Sequence, residues 1–201
     1  MGVLASIVDR SISELSENDA SVVGDYAFCG CSELTSASFP NAVSIGDHAF
    51  DKCENLLGVT SSNAKIIGKS AFSNCINLFG LPSSNAISIG DNAFEKCYSF
   101  QDINCHALMI GQSAFRFCTN VIEARLDSVI YIDKLAFANC TSLVSIYIGD
   151  WGSTTVCILE NSNAFQNCSN LVDIYVPEDL VDSYKAATNW SNYASKIKAM
   201  P

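Results

Sequence analysis

Apolar residues along this chain recur with a long period, not with the 3.6 or 2 of a single helix or strand. An Ala-Phe pair returns seven times, at Phe28, Phe50, Phe72, Phe94, Phe115, Phe137 and Phe165. Each Phe is followed three residues later by a cysteine: Cys31, Cys53, Cys75, Cys97, Cys118, Cys140 and Cys168. The intervals between the Phe residues are 22, 22, 22, 21, 22 and 28. Five near-equal intervals and one insertion define an internal repeat. One such unit cannot bury its own apolar edge, so the period predicts a solenoid of stacked coils.

The unit reads I-G-x-x-A-F-x-x-C-x-x-L-x-x-I, shown in the second copy by Ile45-Gly46-Asp47-His48-Ala49-Phe50 with Cys53, Leu56 and Val59. After each Cys, apolar residues take the first, fourth and often sixth place, as in Leu143/Ile146/Ile148 and Val121/Ala124/Leu126. The last two alternate as a strand does. A second short run precedes the Gly, as in Ala86-Ile87-Ser88-Ile89 and Val129-Ile130-Tyr131-Ile132. Each coil therefore offers two short strands joined by tight turns, paired in parallel with its neighbours about 4.8 Å away. Gly24, Gly46, Gly68, Gly90 and Gly111 share one slot, which passes to Asp133 and Asn161. These residue types tolerate positive φ, so a left-handed turn is expected there.

This unit resembles the BspA-type leucine-rich repeat family, whose repeat is close to L-x-x-I-x-I-P-x-x-V-x-x-I-G-x-x-A-F-x-x-C. The likeness runs from about Leu15 to Pro177 and rests on seven copies of the Ala-Phe/Cys signature. It implies a β-rich right-handed leucine-rich repeat solenoid of about seven 22-residue coils with parallel strands, a short N-terminal cap and a C-terminal helical cap. It also implies a surface-associated or secreted binding protein, usually bacterial, since several members look like adhesins for host proteins. Two departures bear on turn geometry. The strand-ending Pro stands in its slot only at Pro40 and Pro177, and the last coil lacks the Ile-Gly step.

The organisation that follows is a cap over 1–15, a solenoid over 16–177 with an insertion near 150–155, and a helical cap over 178–201. Val3, Leu4, Ile7, Val8 and Ile12 approximate helical spacing, while Leu15 fits an incoming strand equally well. Leu180, Val181, Tyr184 and Ala187 fall on one helical face, with Glu178 and Asp179 suiting its N-terminus. Trp190, Tyr193 and Ile197 supply bulk over the last coil.

Composition narrows the partners. With 16% charged and 49% apolar residues, the chain is the opposite of a disordered one. A net charge of −10 argues against nucleic acid and against polybasic attachment to a membrane. No apolar run approaches the roughly 20 residues that cross a bilayer. Met1–Asp9 lacks a basic leader and a cleavage site, so it does not read as a signal peptide. Either the chain is not exported by that route or a leader has already been removed.

Candidate chemistry is sparse. Seven of the ten cysteines occupy one repeat position, which spreads them along a line, whereas a zinc site needs four ligands converging on a point. They read as small buried hydrophobes. Cys105 is core by the same argument, and Cys29 and Cys157 are the two expected near the surface. His48 and His106 lack a nucleophile motif, no phosphate-binding loop precedes a helix, and no calcium-roll pattern recurs. The Asn139, Asn167 and Asn189 triplets match the glycosylation signal, but two of them centre on a ladder Cys and read as accidental. No enzyme activity, cofactor or metal is expected.

Function must then lie on an exposed face. If the first, fourth and sixth strand places point inward, the third and fifth face outward. In the C-terminal half these are Asp102, Asn104, Glu123, Arg125, Tyr147, Asp173 and Tyr175, a mixture of acids, one Arg and two Tyr suited to recognition. The N-terminal half is small and plain. Beside them Leu57, Phe79, Ile122, Val144 and Val172 are expected to be half-buried. Trp151, in the insertion, either packs on its own coil or offers a partner an apolar contact. The chain reads as a non-catalytic binding module for another protein or a glycan, adhesin-like, without nucleic-acid partner or membrane insertion. The alternative is a structural spacer or assembly component of a larger surface or phage-like particle.

Overall fold

A computed structural model describes residues 2–4, 11–150 and 152–201, the first three by backbone only. It is a parallel-strand solenoid of about eight turns of about 22 residues. Seven turns carry the Ala-Phe/Cys core, and segments at both ends add further strands. One long wall is an eight-stranded parallel sheet of Gly2–Leu4, Ala20–Val23, Ser44–Ile45, Ile66–Ile67, Ser88–Ile89, Met109–Ile110, Tyr131–Ile132 and Ile158–Leu159. The opposite wall is split. Glu14–Ser16, Ser36–Ser38 and Gly58–Thr60 form one sheet; Asp102–Cys105, Glu123–Leu126, Ser145–Ile148, Asp173–Val176 and Ile197–Ala199 form another. The gap falls at Phe79-Gly80-Leu81-Pro82, which forms no strand. Pro82 has no N–H to give a ladder, and Gly80 has no side chain to pack.

Between the walls lies a dry core of aligned side chains. Successive Phe rings stack with centroids 5.0 Å apart at Phe28/Phe50 and Phe50/Phe72, widening to 5.6 Å at Phe137/Phe165. All seven Phe are buried. The Cys ladder has a specific reason to be Cys. From the second coil on, each ladder thiol donates to the carbonyl of the preceding coil's Phe: Cys53 Sγ to Phe28 O at 3.1 Å, Cys75 to Phe50 at 3.0 Å, and so on to Cys168 and Phe137 at 3.0 Å. A small apolar side chain thereby also gives a buried carbonyl an added donor. Burial pushes the Cys53 thiol up to about 12, the neighbouring Cys31 adding to it, and raises those of Cys75 and Cys97 well above the ordinary thiol value.

Four expectations change. The shared Gly slot is not left-handed: Gly46, Gly68, Gly90 and Gly111 have ordinary φ. Positive φ falls instead two residues later, at Tyr26, His48, Ser70, Asn92, Ser113 and Leu135. It returns two residues after each Phe, at Gly30, Lys52, Asn74, Lys96, Phe117, Asn139 and Asn167. The Gly is required by proximity. A Cβ on Gly68 would lie 2.6 Å from the carbonyl carbon of Gly46, and one on Gly90 2.7 Å from that of Gly68. At the same turn Asp25, Asp47 and Asp91 each accept a backbone N–H of the next coil, at 2.8, 2.7 and 2.9 Å.

At the N-terminus, Gly2–Leu4 is a strand paired with Ala20–Val23, not part of a helix; an unpaired sheet edge at the start of a solenoid is satisfied by another strand. Ile7 and Val8 lie outside the described residues. The C-terminal segment holds the expected helix over Val181–Ala186, then returns to the wall as Ile197–Ala199, in register with Ile174–Val176. Cys157 is buried, not near the surface: its N–H donates to the Tyr184 hydroxyl at 2.9 Å and its carbonyl accepts from Trp190 Nε1 at 2.7 Å. The cap that covers the last coil covers this cysteine with it. Cys29 is half-exposed.

Candidate functional site

The outward places of the split wall lie as the alternation requires. Asp102, Ile103, Asn104 and Cys105 run exposed, buried, exposed, buried; the next three strands keep the alternation, with Arg125 exposed and Glu123, Ser145, Tyr147, Asp173 and Tyr175 half-buried at the outward places. Pairing is in register, so Asp102, Glu123, Ser145 and Asp173 form one row, and Asn104, Arg125, Tyr147, Tyr175 and Lys198 another. Lys198 was not legible beforehand, because a three-residue strand behind two short helices carries too little alternation to be recognised.

Register turns these side chains into a connected stack. Arg125 places its guanidinium carbon 3.9 Å from the Tyr147 ring centre, while its Nε donates to Glu123 Oε1 at 2.7 Å. Tyr147 stacks on Tyr175 with centroids 4.7 Å apart and planes 24° from parallel. The Tyr175 hydroxyl donates to Asp173 Oδ2 at 3.0 Å, and Lys198 Nζ forms an ion pair with the same carboxylate. Lys198 and the Tyr175 hydroxyl hold the Asp173 carboxyl below its ordinary range. In return that carboxylate raises both the Tyr175 hydroxyl and the Lys198 ammonium. Among the described residues, the exposed side chains of Asp102 and Asn104 have no partner at the near end of the stack.

The N-terminal half is an open trough of about 540 Å³ lined by Glu14, Ser16, Ser36, Ser38, Gly58 and Thr60 with the Leu15, Ala37 and Val59 row. A Cβ on Gly58 or Gly80 would meet nothing within 4 Å, so packing does not demand glycine at either position. Leu57, Phe79, Ile122, Val144 and Val172 are exposed, between 40% and 62%, not half-buried: they precede the strands, where the chain has not yet turned into the wall. In the insertion Asp150 closes a turn, its Oδ1 accepting from Gly152 N at 2.9 Å and Ser153 Oγ at 3.1 Å. Trp151 lies outside the described residues.

No group of three or more His, Cys, Asp or Glu placed to hold a metal occurs among the described residues. His48 stacks on Tyr26 at 4.8 Å and contacts Asp51 at 3.3 Å, while His106 contacts Asp127 at 3.6 Å and the Ser84 carbonyl at 3.2 Å. What this wall offers is side-chain donors, acceptors and ring edges on a rigid frame.

The sequence profile of the BspA type leucine rich repeat region matches in six copies, over residues 44–172 and 108–197. The chain belongs to the BspA-type leucine-rich repeat family. That family comprises bacterial surface proteins, and this member is a repeat binding module on a leucine-rich scaffold. Leucine-rich repeat domains generally mediate protein interactions. Among solved structures, the T. pallidum leucine rich repeat protein TpLRR superposes with a TM-score of 0.57 at 21% identity over 99% of this chain and 91% of that one. The pneumococcal vaccine antigen PcpA gives 0.51 at 12% identity over 94% of this chain and 42% of that one. A Bacteroides ovatus leucine-rich repeat protein gives 0.45 at 19% identity, over 87% and 65%. The first two of these likenesses show the fold. No curated protein sequence matches the chain. BspA-type proteins are typically surface-associated, and no helix among the described residues is long and apolar enough to cross a membrane.

Proposed function

We propose that this BspA-type solenoid is a non-catalytic, adhesin-like binding module of a surface-associated or secreted bacterial protein, engaging another protein or a glycan. Its contact surface is the C-terminal half of the split wall: Asp102, Asn104, Glu123, Arg125, Tyr147, Asp173 and Tyr175, extended by Lys198. The observation that carries this reading is the Arg125–Tyr147–Tyr175 stack. Three large side chains held by one another and by flanking carboxylates lose little conformational freedom when a partner docks, which is the economy that makes Tyr and Arg frequent anchors. They also sit on paired strands, not on a loop, and so keep their spacing. Trp151 adjoins the last coils in sequence and is proposed as a peripheral apolar contact.

The test joins Arg125→Ala, Tyr147→Ala and Tyr175→Ala in one variant and measures binding to immobilised extracellular-matrix proteins and to a glycan array. Loss of about tenfold or more in affinity for whatever the native chain captures is expected. Equal affinity of variant and native chain would remove this surface from the reading.

A further inference from the structure

The last rung of the cysteine ladder differs from those before it. Cys31, Cys53, Cys75, Cys97, Cys118 and Cys140 are fully buried, whereas Cys168 is half-exposed. It stands 28 residues after Cys140, because the insertion falls in that interval. Its coil has another repeat on one side only, and the cap packs on the other.

Despite the longer interval the two cysteines are held side by side. Phe137 N–H donates to Ala164 O at 2.9 Å and Asn139 N–H to Gln166 O at 2.8 Å. Asn167 Nδ2 donates to Asn139 Oδ1 at 2.9 Å, which ties together the residues that immediately precede the two cysteines. Phe137 O accepts both the Cys140 N–H at 3.2 Å and the Cys168 thiol at 3.0 Å, so the Cys168 sulfur rests against the turn that carries Cys140. The Phe137 and Phe165 rings, three residues before each cysteine, lie 5.6 Å apart. The Cα atoms of a disulfide stand about 4.4–6.8 Å apart, so coils at this spacing can be bridged.

We propose that Cys140 and Cys168 form an intramolecular disulfide when the protein meets a peroxide, a covalent staple between the last two coils. The Cys168 thiolate attacks one peroxide oxygen, the O–O bond breaks and hydroxide leaves, giving a sulfenic acid at Cys168. The Cys140 thiol then attacks that sulfur, the S–O bond breaks, and the departing hydroxide takes the Cys140 proton as water. In sum, two thiols and one hydrogen peroxide give one disulfide and two waters. To reach each other the sulfurs turn about their Cα–Cβ bonds and leave Phe137 O and Phe115 O, giving up only weak thiol hydrogen bonds.

Exposure divides the two roles. Cys168 is the thiol that a peroxide reaches, and Cys140 waits beneath it as the resolving thiol. A hydrogen bond from the Cys140 thiol favours the thiolate at Cys168 and holds that group below its ordinary value. The same hydrogen bond, together with burial, raises Cys140. In each earlier pair of the ladder both thiols are fully buried, so neither is open to a first attack.

Cys29→Ser removes the other half-exposed cysteine and gives the background chain for the test. Kept folded at mildly alkaline pH with a small excess of hydrogen peroxide, that chain is expected to lose two thiols, counted after unfolding. It should also yield one cross-linked peptide joining Cys140 to Cys168, and a reductant should restore both thiols. Hydrogen exchange should slow about tenfold or more at Ser145–Ile148 and Asp173–Val176, the strands of the two joined coils, because closing the loop restricts their opening. Cys168→Ser on this background should abolish the loss of thiols, and Cys140→Ala should leave a sulfenic acid at Cys168 that dimedone traps. A full thiol count after peroxide, a loss confined to Cys168, or a cross-link between any other pair overturns the proposal. The peptide map of the background chain decides the matter even where a ladder variant fails to fold.

Discussion

At the scale of single residues, proximity between coils decides more than backbone conformation does. Gly68 and Gly90 would each drive a Cβ to within 2.6–2.7 Å of a backbone carbon in the preceding coil. Gly68→Ala or Gly90→Ala should therefore cost about 1–3 kcal/mol, as overpacking does. Gly58→Ala, with nothing within 4 Å of the new methyl, should instead gain about 0.5–1 kcal/mol, the usual advantage of Ala over Gly in a strand. Urea melts of the variants read both signs. The buried thiols set a pH limit. Desolvation raises Cys53 and Cys157 from 9.0 to about 12 and Cys105 to about 11. Below pH 9 these groups are protonated folded or unfolded, and stability is complete. Above it the unfolded chain ionises them while the folded chain does not, so stability falls through the window from 9 to about 12, by about 1.4 kcal/mol per pH unit for each thiol. Urea midpoints above pH 9 should drop, and drop less in Cys53→Ala.

The element that matters most is the C-terminal cap. Its Trp190 lies 6.1 Å from Phe165, Tyr193 meets the same ring edge-on at 5.4 Å, and both Tyr184 and Trp190 hydrogen-bond the Cys157 peptide. Without them the seventh Phe and Cys157 would face water. Trp190→Ala should cost about 3–5 kcal/mol, as large core truncations do. Hydrogen exchange should accelerate first at Ile158–Leu159 and the neighbouring coil, leaving Ile45 and Ile67 protected. Uniform acceleration along the chain would show that the cap supports the whole solenoid and not its last coil.

For the whole molecule, the consequence of stacking is that each coil meets only its neighbours, and stability accumulates along one axis. Removing residues 178–201 should leave the earlier coils folded by circular dichroism. It should also free the edge strand Asp173–Val176, now paired with Ile197–Ala199, and expose the end of the Phe stack. Light scattering is expected to show concentration-dependent association of that truncated chain, since an open apolar edge templates pairing. The two walls also differ in character: one carries the polar, aromatic stack, and the other exposes Val43, Ile66, Ile87, Met109, Ile130 and Ile158. Alanine at Arg125, Tyr147 and Tyr175 should move urea stability by only about 1 kcal/mol, because these side chains lie outside the core and are at most half-buried.

The period of Phe and Cys was enough to determine the solenoid, the inward places of each strand and the rows facing out, because a repeat that must bury its edge has one way to stack. Inward or outward placement follows from the period-two alternation, so Arg125, Tyr147 and Tyr175 were legible as a row before any coordinates. What the tertiary structure decided depends on distance between coils, which no single repeat encodes: the reason for Gly46 and Gly68, the carbonyl that each ladder thiol serves, the arrival of Lys198 beside Tyr175, and the burial of Cys157 under Trp190. The exposure of Ile87 and Ile130 belongs to the same class. Each sits in a short apolar run of its coil but stands just before a two-residue strand, Ser88–Ile89 or Tyr131–Ile132, where the chain has not yet turned into the wall.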